Sequence, residues 1–232
     1  MPKIEISLLA LMLVPVGLVL LIQYKWLLDY KEGLLAVARM LAQLIGVGYL
    51  LVFVFTSNSA LVVTLVLLLM ILTSAWIALR TTKEKRLILY PSALVSVSLG
   101  GGVILVITTQ VVLSLSPWYR AEFIIPLAGM IFASSMNAIS LANDRYFDEN
   151  SLTLDHPTRR KLAFKACMIP VTNSFFAVGL VLLPGMMTGQ ILSGVEPLVA
   201  VRYQILVMAM VFASGGLSSA LFLVFIRQLK SI

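Results

Sequence analysis

The chain has 232 residues, a mean hydropathy of +1.04, 60% hydrophobic side chains and 12% charged ones, where a soluble domain carries roughly 25% charged. That balance excludes an ordinary soluble enzyme, a disordered tail and a nucleic-acid binder; the net charge of +7 sits in clusters between long apolar runs, where it bears on membrane orientation. One cysteine and one histidine exclude an intramolecular disulfide, a multi-cysteine zinc or iron–sulfur site and a multi-histidine site within one chain.

A helix crossing a bilayer needs roughly 20 apolar residues. Seven stretches qualify: Ile6–Ile22, Leu34–Phe55, Ala60–Leu79, Ser92–Leu113, Phe123–Ala142, Ala166–Gln190 and Tyr203–Ile226. The expected fold is an all-α polytopic membrane protein of about seven transmembrane helices. The first stretch has a short basic flank at Lys3, no small-x-small cleavage site, and Tyr24-Lys25-Trp26 behind it. It reads as a retained helix with an interfacial anchor. Tyr24–Gly33 mixes apolar and charged residues and reads as a short amphipathic interfacial helix. The fourth stretch starts near Pro91 and meets Gly100-Gly101-Gly102, where it can bend. The sixth holds Pro170 and Pro184-Gly185. Proline removes a backbone donor, so a kink or break is predicted around Pro184-Gly185.

With the N-terminus outside, 14 basic residues fall on the inner side and three (Lys3, Arg120, Arg202) on the outer. Basic residues favour the cytoplasmic side, which gives an N-out, C-in reading. The outer loops Thr56–Ser59 and Ser193–Leu198 are short. The whole chain, 1–232, then reads as one transmembrane domain with a cytoplasmic connection at about Asn143–Lys165.

The sequence holds no G-x-x-x-x-G-K-[ST], no H-E-x-x-H and no G-x-S-x-G. No carboxylate lies in the middle of a span, where one would mark a proton or sodium relay. The expectation is a chain that is not an enzyme, carries no ATPase site and takes its energy from a partner. Polar residues do cluster in the spans: Ser134, Ser135, Asn137 and Ser140 in the fifth; Thr172, Asn173, Ser174, Thr188 and Gln190 in the sixth. Such groups face protein or a wet cavity. Interhelical hydrogen bonding is one reading; for Asn137 and Asn173 a place on a translocation path is the other. Gly185 and Gly189 form a G-x-x-x-G that allows close helix packing. Met186 and Met187 between them are flexible packing groups or soft-metal ligands, and Gln190 follows in the same turn. No metal site is assigned. Cys167 reads as a small buried hydrophobe and His156 as a solvated loop residue.

Several blocks together carry a family likeness. Pro126-Leu127-Ala128-Gly129-Met130-Ile131 leads to Ser135-Met136. Ile169-Pro170-Val171-Thr172-Asn173-Ser174 precedes Leu183-Pro184-Gly185-Met186-Met187-Thr188-Gly189-Gln190-Ile191-Leu192, and Ala200-Val201-Arg202-Tyr203-Gln204-Ile205 follows. With Arg39, Gln43, Gly48 and Tyr49 in the second span, the chain from about Leu34 onward resembles the permease subunits of bacterial iron-export ABC transporters, related to the plant aluminium-sensitivity permeases. The resemblance implies a multi-pass protein of the bacterial inner membrane and a permease homodimer. A separate ATP-binding subunit would supply ATP and Mg, with iron or another metal moved outward. Plant relatives tie the family to nucleotide sugars as well, so a nucleotide-sugar permease is an alternative. A non-transport scaffold and an ATP-independent carrier are others. The family's inner E-x-x-L-x-L-G-A-[ST] segment is matched by Glu149, Leu152 and Leu154, with Asp155-His156 in place of Gly-Ala. Glu149, Leu152, Leu154, Arg159 and Arg160 are therefore the expected ATPase-coupling residues.

Overall fold

The computed structural model describes residues 8, 11–26, 30–57, 59–151 and 153–228. The chain divides into two compact units, Met1–Thr56 and Ser57–Ile232. In the first unit, α1 (Leu13–Lys25) and α2 (Tyr30–Thr56) pack on each other. A Cβ at Gly33 would come within 2.6 Å of the Gln23 amide oxygen and 2.8 Å of Leu20, so this glycine sets the closeness of the pair. Tyr24 and Tyr30 meet edge to face with ring centres 5.2 Å apart.

The second unit is a helical bundle. Its elements are α3 (Ala60–Ala78), α4 (Lys83–Val112), α5 (Ala121–Tyr146), α6 (His156–Ala177), α7 (Gly185–Leu192) and α8 (Pro197–Gln228). α5 lies at its centre, against α3, α4, α6 and α8. Ile131, Phe132 and Ile139 of α5, Leu79 beyond α3, Leu89 of α4 and Phe222 and Leu223 of α8 are fully buried. α3 and α4 form a hairpin. Arg86 donates to the Trp76 carbonyl oxygen from Nε at 3.1 Å and from Nη2 at 2.6 Å, and its guanidinium lies 3.7 Å from the Trp76 ring centre. α4 is not uniform. Val97–Gly101 and Ile107–Val112 are wound as π-helix, a form found mostly as short insertions in α-helices.

The expectation of about seven crossings is corrected to five. Among the described residues, five helices are long and apolar enough to cross a bilayer: α2, α3, α4, α5 and α8. Within the first stretch the described helix α1 has 13 residues, about 20 Å against a hydrocarbon core near 30 Å. Residues 1–7 and 9–10, within or before it, lie outside the described residues, as do 27–29 of the expected interfacial helix. The N-out, C-in reading assigned the basic loops to sides by counting the first and sixth stretches as crossings, so that assignment falls with them.

The sixth stretch is two helices rather than one. α6 stops at Ala177 and α7 starts eight residues later at Gly185, with Pro184 as its N-cap. The amides of Val181 and Leu182 donate back to the Ala177 carbonyl oxygen at 2.8 and 2.9 Å, and Gly179 N–H donates to the Leu182 carbonyl oxygen at 3.0 Å. Gly179 sits at φ +81°, a backbone conformation that a side chain resists. α7 has eight residues, about 12 Å at 1.5 Å per residue, too short to cross.

Candidate functional site

Two regions of the second unit gather its polar chemistry. The first is a seam where α4, α5 and α8 meet. Ser218 Oγ donates to Ser135 Oγ at 2.9 Å, Ser135 Oγ to the Ser214 carbonyl oxygen at 3.3 Å, and Ser134 Oγ to the Val211 carbonyl oxygen at 2.8 Å. Ser135, Ser214 and Ser218 are fully buried. Small side chains permit this approach: a Cβ at Gly100 would come within 2.7 Å of Ser218 N and 2.8 Å of its Cα. In a bilayer, close packing of small residues and hydroxyl bonds replaces the hydrophobic drive of soluble cores.

The second region is the basic end of the bundle, where α3 ends, α4 starts, α5 ends, α6 starts and α8 ends. Asn143, fully buried, donates from Nδ2 to Thr82 Oγ1 at 2.7 Å and to Thr81 Oγ1 at 3.3 Å, tying α5 to the α3–α4 turn. Its Oδ1 has no partner. Arg159 reaches back from α6 to α5, with Nη2 2.8 Å and Nε 3.2 Å from the Tyr146 carbonyl oxygen and its guanidinium 4.1 Å from the Tyr146 ring centre. The Tyr146 hydroxyl lies 2.7 Å from His156 Nδ1. Arg145 pairs with Asp148, and Lys85 Nζ sits 4.7 Å from the Phe147 ring centre. The connection between α5 and α6 is thus tied at both ends to the bundle.

His156 is therefore not a free loop residue. Burial lowers its pKa from the usual value, the charges of Arg227, Arg160 and Arg159 add to that, and Asp155 opposes it. A histidine whose folded pKa is depressed adds stability that is complete above its unfolded pKa near 6.5 and fades as pH falls through that range toward the lowered value. Amides of 146–160 are expected to exchange faster with deuterium at pH 5.5 than at 7.5, after correction for intrinsic rates. The difference should shrink in H156F, whose ring does not titrate; an unchanged difference would show that another group controls it.

The residues singled out from the sequence are dispersed. Asn137 lies on the exposed stripe of α5 with Ala133 and Leu141, opposite the buried Ser135 and Ile139. Asn173 is exposed on α6. Met186, Met187 and Gln190 share α7, and Gln190 Oε1 is buried without a partner. Gly185 and Gly189 stand open: a Cβ at either would meet nothing within 4 Å. Glu149 lies in a short 3₁₀ turn, Glu149–Ser151, Leu154 is exposed beside it, and Leu152 lies outside the described residues. Arg159 is spent on Tyr146, while Arg160 faces outward. Cys167 is buried, its thiol donating to the Phe164 carbonyl oxygen at 3.2 Å. Sequence reading missed Asn143, Thr81 and Thr82. Their signal was a polar amide one turn before the end of an apolar helix, facing a Thr-Thr turn far off in sequence. No group of three or more His, Cys, Asp or Glu fit to hold a metal occurs among the described residues.

An all-α chain with five bilayer-length apolar helices among its described residues is a multi-pass membrane protein. It belongs to the uncharacterised protein family UPF0014, whose model matches residues 6–155 and 156–229. It is 34% identical over 214 residues to the UPF0014 membrane protein slr1647 of Synechocystis, covering 86% of this chain and 83% of that one. It is 32% identical over 228 residues to the probable iron export permease protein FetB of Escherichia coli, covering 91% and 85%. Against the Protein ALUMINUM SENSITIVE 3 of Arabidopsis thaliana identity is 28% over 223 residues, covering 89% and 80%. No solved structure matches the chain significantly.

Proposed function

We propose that this chain is the transmembrane permease subunit of an ABC transporter that exports iron or another metal, with ATP hydrolysed by a separate subunit. The observation that carries the reading is the kinship with a probable iron export permease over 91% of the chain. The tied connection of the basic end supports it, because a partner that drives transport must push on something rigid. We place that connection, about residues 143–165, on the cytoplasmic side in keeping with its basic residues. Two permease chains would pair, since two ATPases sandwich two nucleotides. Closure of the ATPase pair would shift the bundle between two packings.

In this reading Glu149, Leu152 and Leu154 meet the ATPase, and Arg159 holds the contact in place. Asn137, Asn173, Met186, Met187 and Gln190 supply amide and thioether groups along the cargo path. Gly185 and Gly189 leave one face of α7 open for a close helix neighbour. Burying a leucine stabilises by roughly 1.5–3 kcal/mol. Replacing Leu152 and Leu154 together by serine is therefore expected to weaken ATPase association by more than about tenfold, with membrane insertion unchanged. The measurement is pull-down of the ATPase and ATP hydrolysis by the reconstituted pair. A double variant that binds and couples like the parent removes this segment from the coupling role. Failure of the parent chain to bind any ATPase encoded beside it would overturn the permease reading.

A further inference from the structure

A groove of about 460 Å³ opens between the start of α6 and the end of α8. Its walls are graded. Pro157, Arg160 and Lys161 line it near the start of α6, and Phe164, Ala220, Leu223 and Val224 line the rest. The gradient follows the helix axes. Arg160 is in the second turn of α6 and Phe164 one turn deeper, while Val224 is one turn from the end of α8 and Ala220 two turns from it. Among the described residues neither Arg160 nor Lys161 has an ion-pair or hydrogen-bond partner, unlike Arg145, Arg159 and Arg86, which are all engaged. Trp76 and Tyr90, ring against ring at the same end of the bundle, are the residue types that collect at the membrane–water boundary.

We propose that this groove holds an anionic phospholipid, its phosphate between Arg160 and Lys161 and one acyl chain on Phe164 and Val224. Charge alone would suit any anion, but the apolar depth suits only an amphiphile aligned with the helices. A water-soluble acidic segment would leave Phe164 and Val224 uncovered. Basic clefts between transmembrane helices are suited to anionic headgroups. The proposal does not depend on the transported cargo or on an ATPase.

The test uses the purified full chain, stripped of lipid in detergent, with dioleoylphosphatidylglycerol and dioleoylphosphatidylcholine as probes and native mass spectrometry as readout. The parent is expected to retain phosphatidylglycerol about tenfold or more better than phosphatidylcholine. R160Q/K161Q should erase the preference, and V224W, which fills the groove from its open side, should reduce retention of both lipids. K83Q/K85Q removes two charges from the same end, away from the groove, and should keep the preference. Excess glycerol 3-phosphate should not displace the lipid. A preference that survives R160Q/K161Q, retention unaffected by V224W, an equal loss in K83Q/K85Q, or displacement by glycerol 3-phosphate would each overturn the proposal.

Discussion

Gly100→Val is expected to leave little folded protein. Any Cβ at this position meets the backbone of Ser218, with N at 2.7 Å and Cα at 2.8 Å, and backbone cannot rotate aside as a side chain can. α4 and α8 would have to separate, which breaks the bond from Ser218 to Ser135 and loosens Ser135 from the Ser214 carbonyl. Overpacking costs about 1–3 kcal/mol and at times more, and each interhelical hydrogen bond in a membrane adds about 0.6 kcal/mol. The sum is expected to reach about 3 kcal/mol, seen as a fall in the unfolding temperature of the detergent-solubilised protein and in its yield. Gly102→Ala is the control, because a Cβ there meets nothing within 4 Å. A G100V protein as heat-stable as the parent would mean that α4 and α8 do not meet at this point.

The second large effect is expected at Arg159. Its fork holds the last carbonyl of α5 and its charge lies over the Tyr146 ring. A charge-assisted hydrogen bond contributes about 1.5–3 kcal/mol and a partly exposed cation–π contact about 0.5–1 kcal/mol. Arg159 is half-exposed, so solvent screening moves the total toward the lower end. R159Q is expected to raise hydrogen exchange across 143–160 by about tenfold or more. R159K should rescue only in part, since an ammonium lacks the planar fork. R160Q should leave exchange unchanged, because Arg160 makes no such bond. Unchanged exchange in R159Q would show that Arg159 does not secure the connection.

The spans α2, α3, α4, α5 and α8 were legible because a bilayer imposes a length and composition that few other contexts demand. The sixth stretch was not, because hydropathy averages over the feature that matters there. Val178, Leu180, Val181, Leu182 and Leu183 are as apolar as any span, yet Gly179 takes a left-handed conformation and turns the chain. Pro184 and Gly185 pointed to an interruption; they start the next helix, and the previous one ends seven residues before Pro184. Of the π-wound turns of α4, Val97–Gly101 falls where Gly100-Gly101-Gly102 had suggested a bend, while Ile107–Val112 left no mark in composition. At the candidate site, what could be read from the sequence was the match of Glu149, Leu152 and Leu154 to a family motif. The ties among Asn143, Thr82, Tyr146, His156 and Arg159 could not, because they join residues from different helices whose pairing only the folded bundle decides.

The start of α6 carries a consequence in terms of peptide dipoles. The first turn of a helix exposes unpaired N–H groups and a partial positive charge, which acidic side chains normally offset. α6 does the reverse: it has no acidic residue in its first turn, Asp155 makes no side-chain capping bond, and Arg159, Arg160 and Lys161 follow at once. Side-chain charge and backbone dipole there repel each other, and only Arg159 finds relief, at the negative C-terminal end of α5. The same cation that strains one helix neutralises the other, so the two termini are electrically coupled. α6 thus starts with Asp155 as the acidic residue at its N-cap and three cations in the turn that follows.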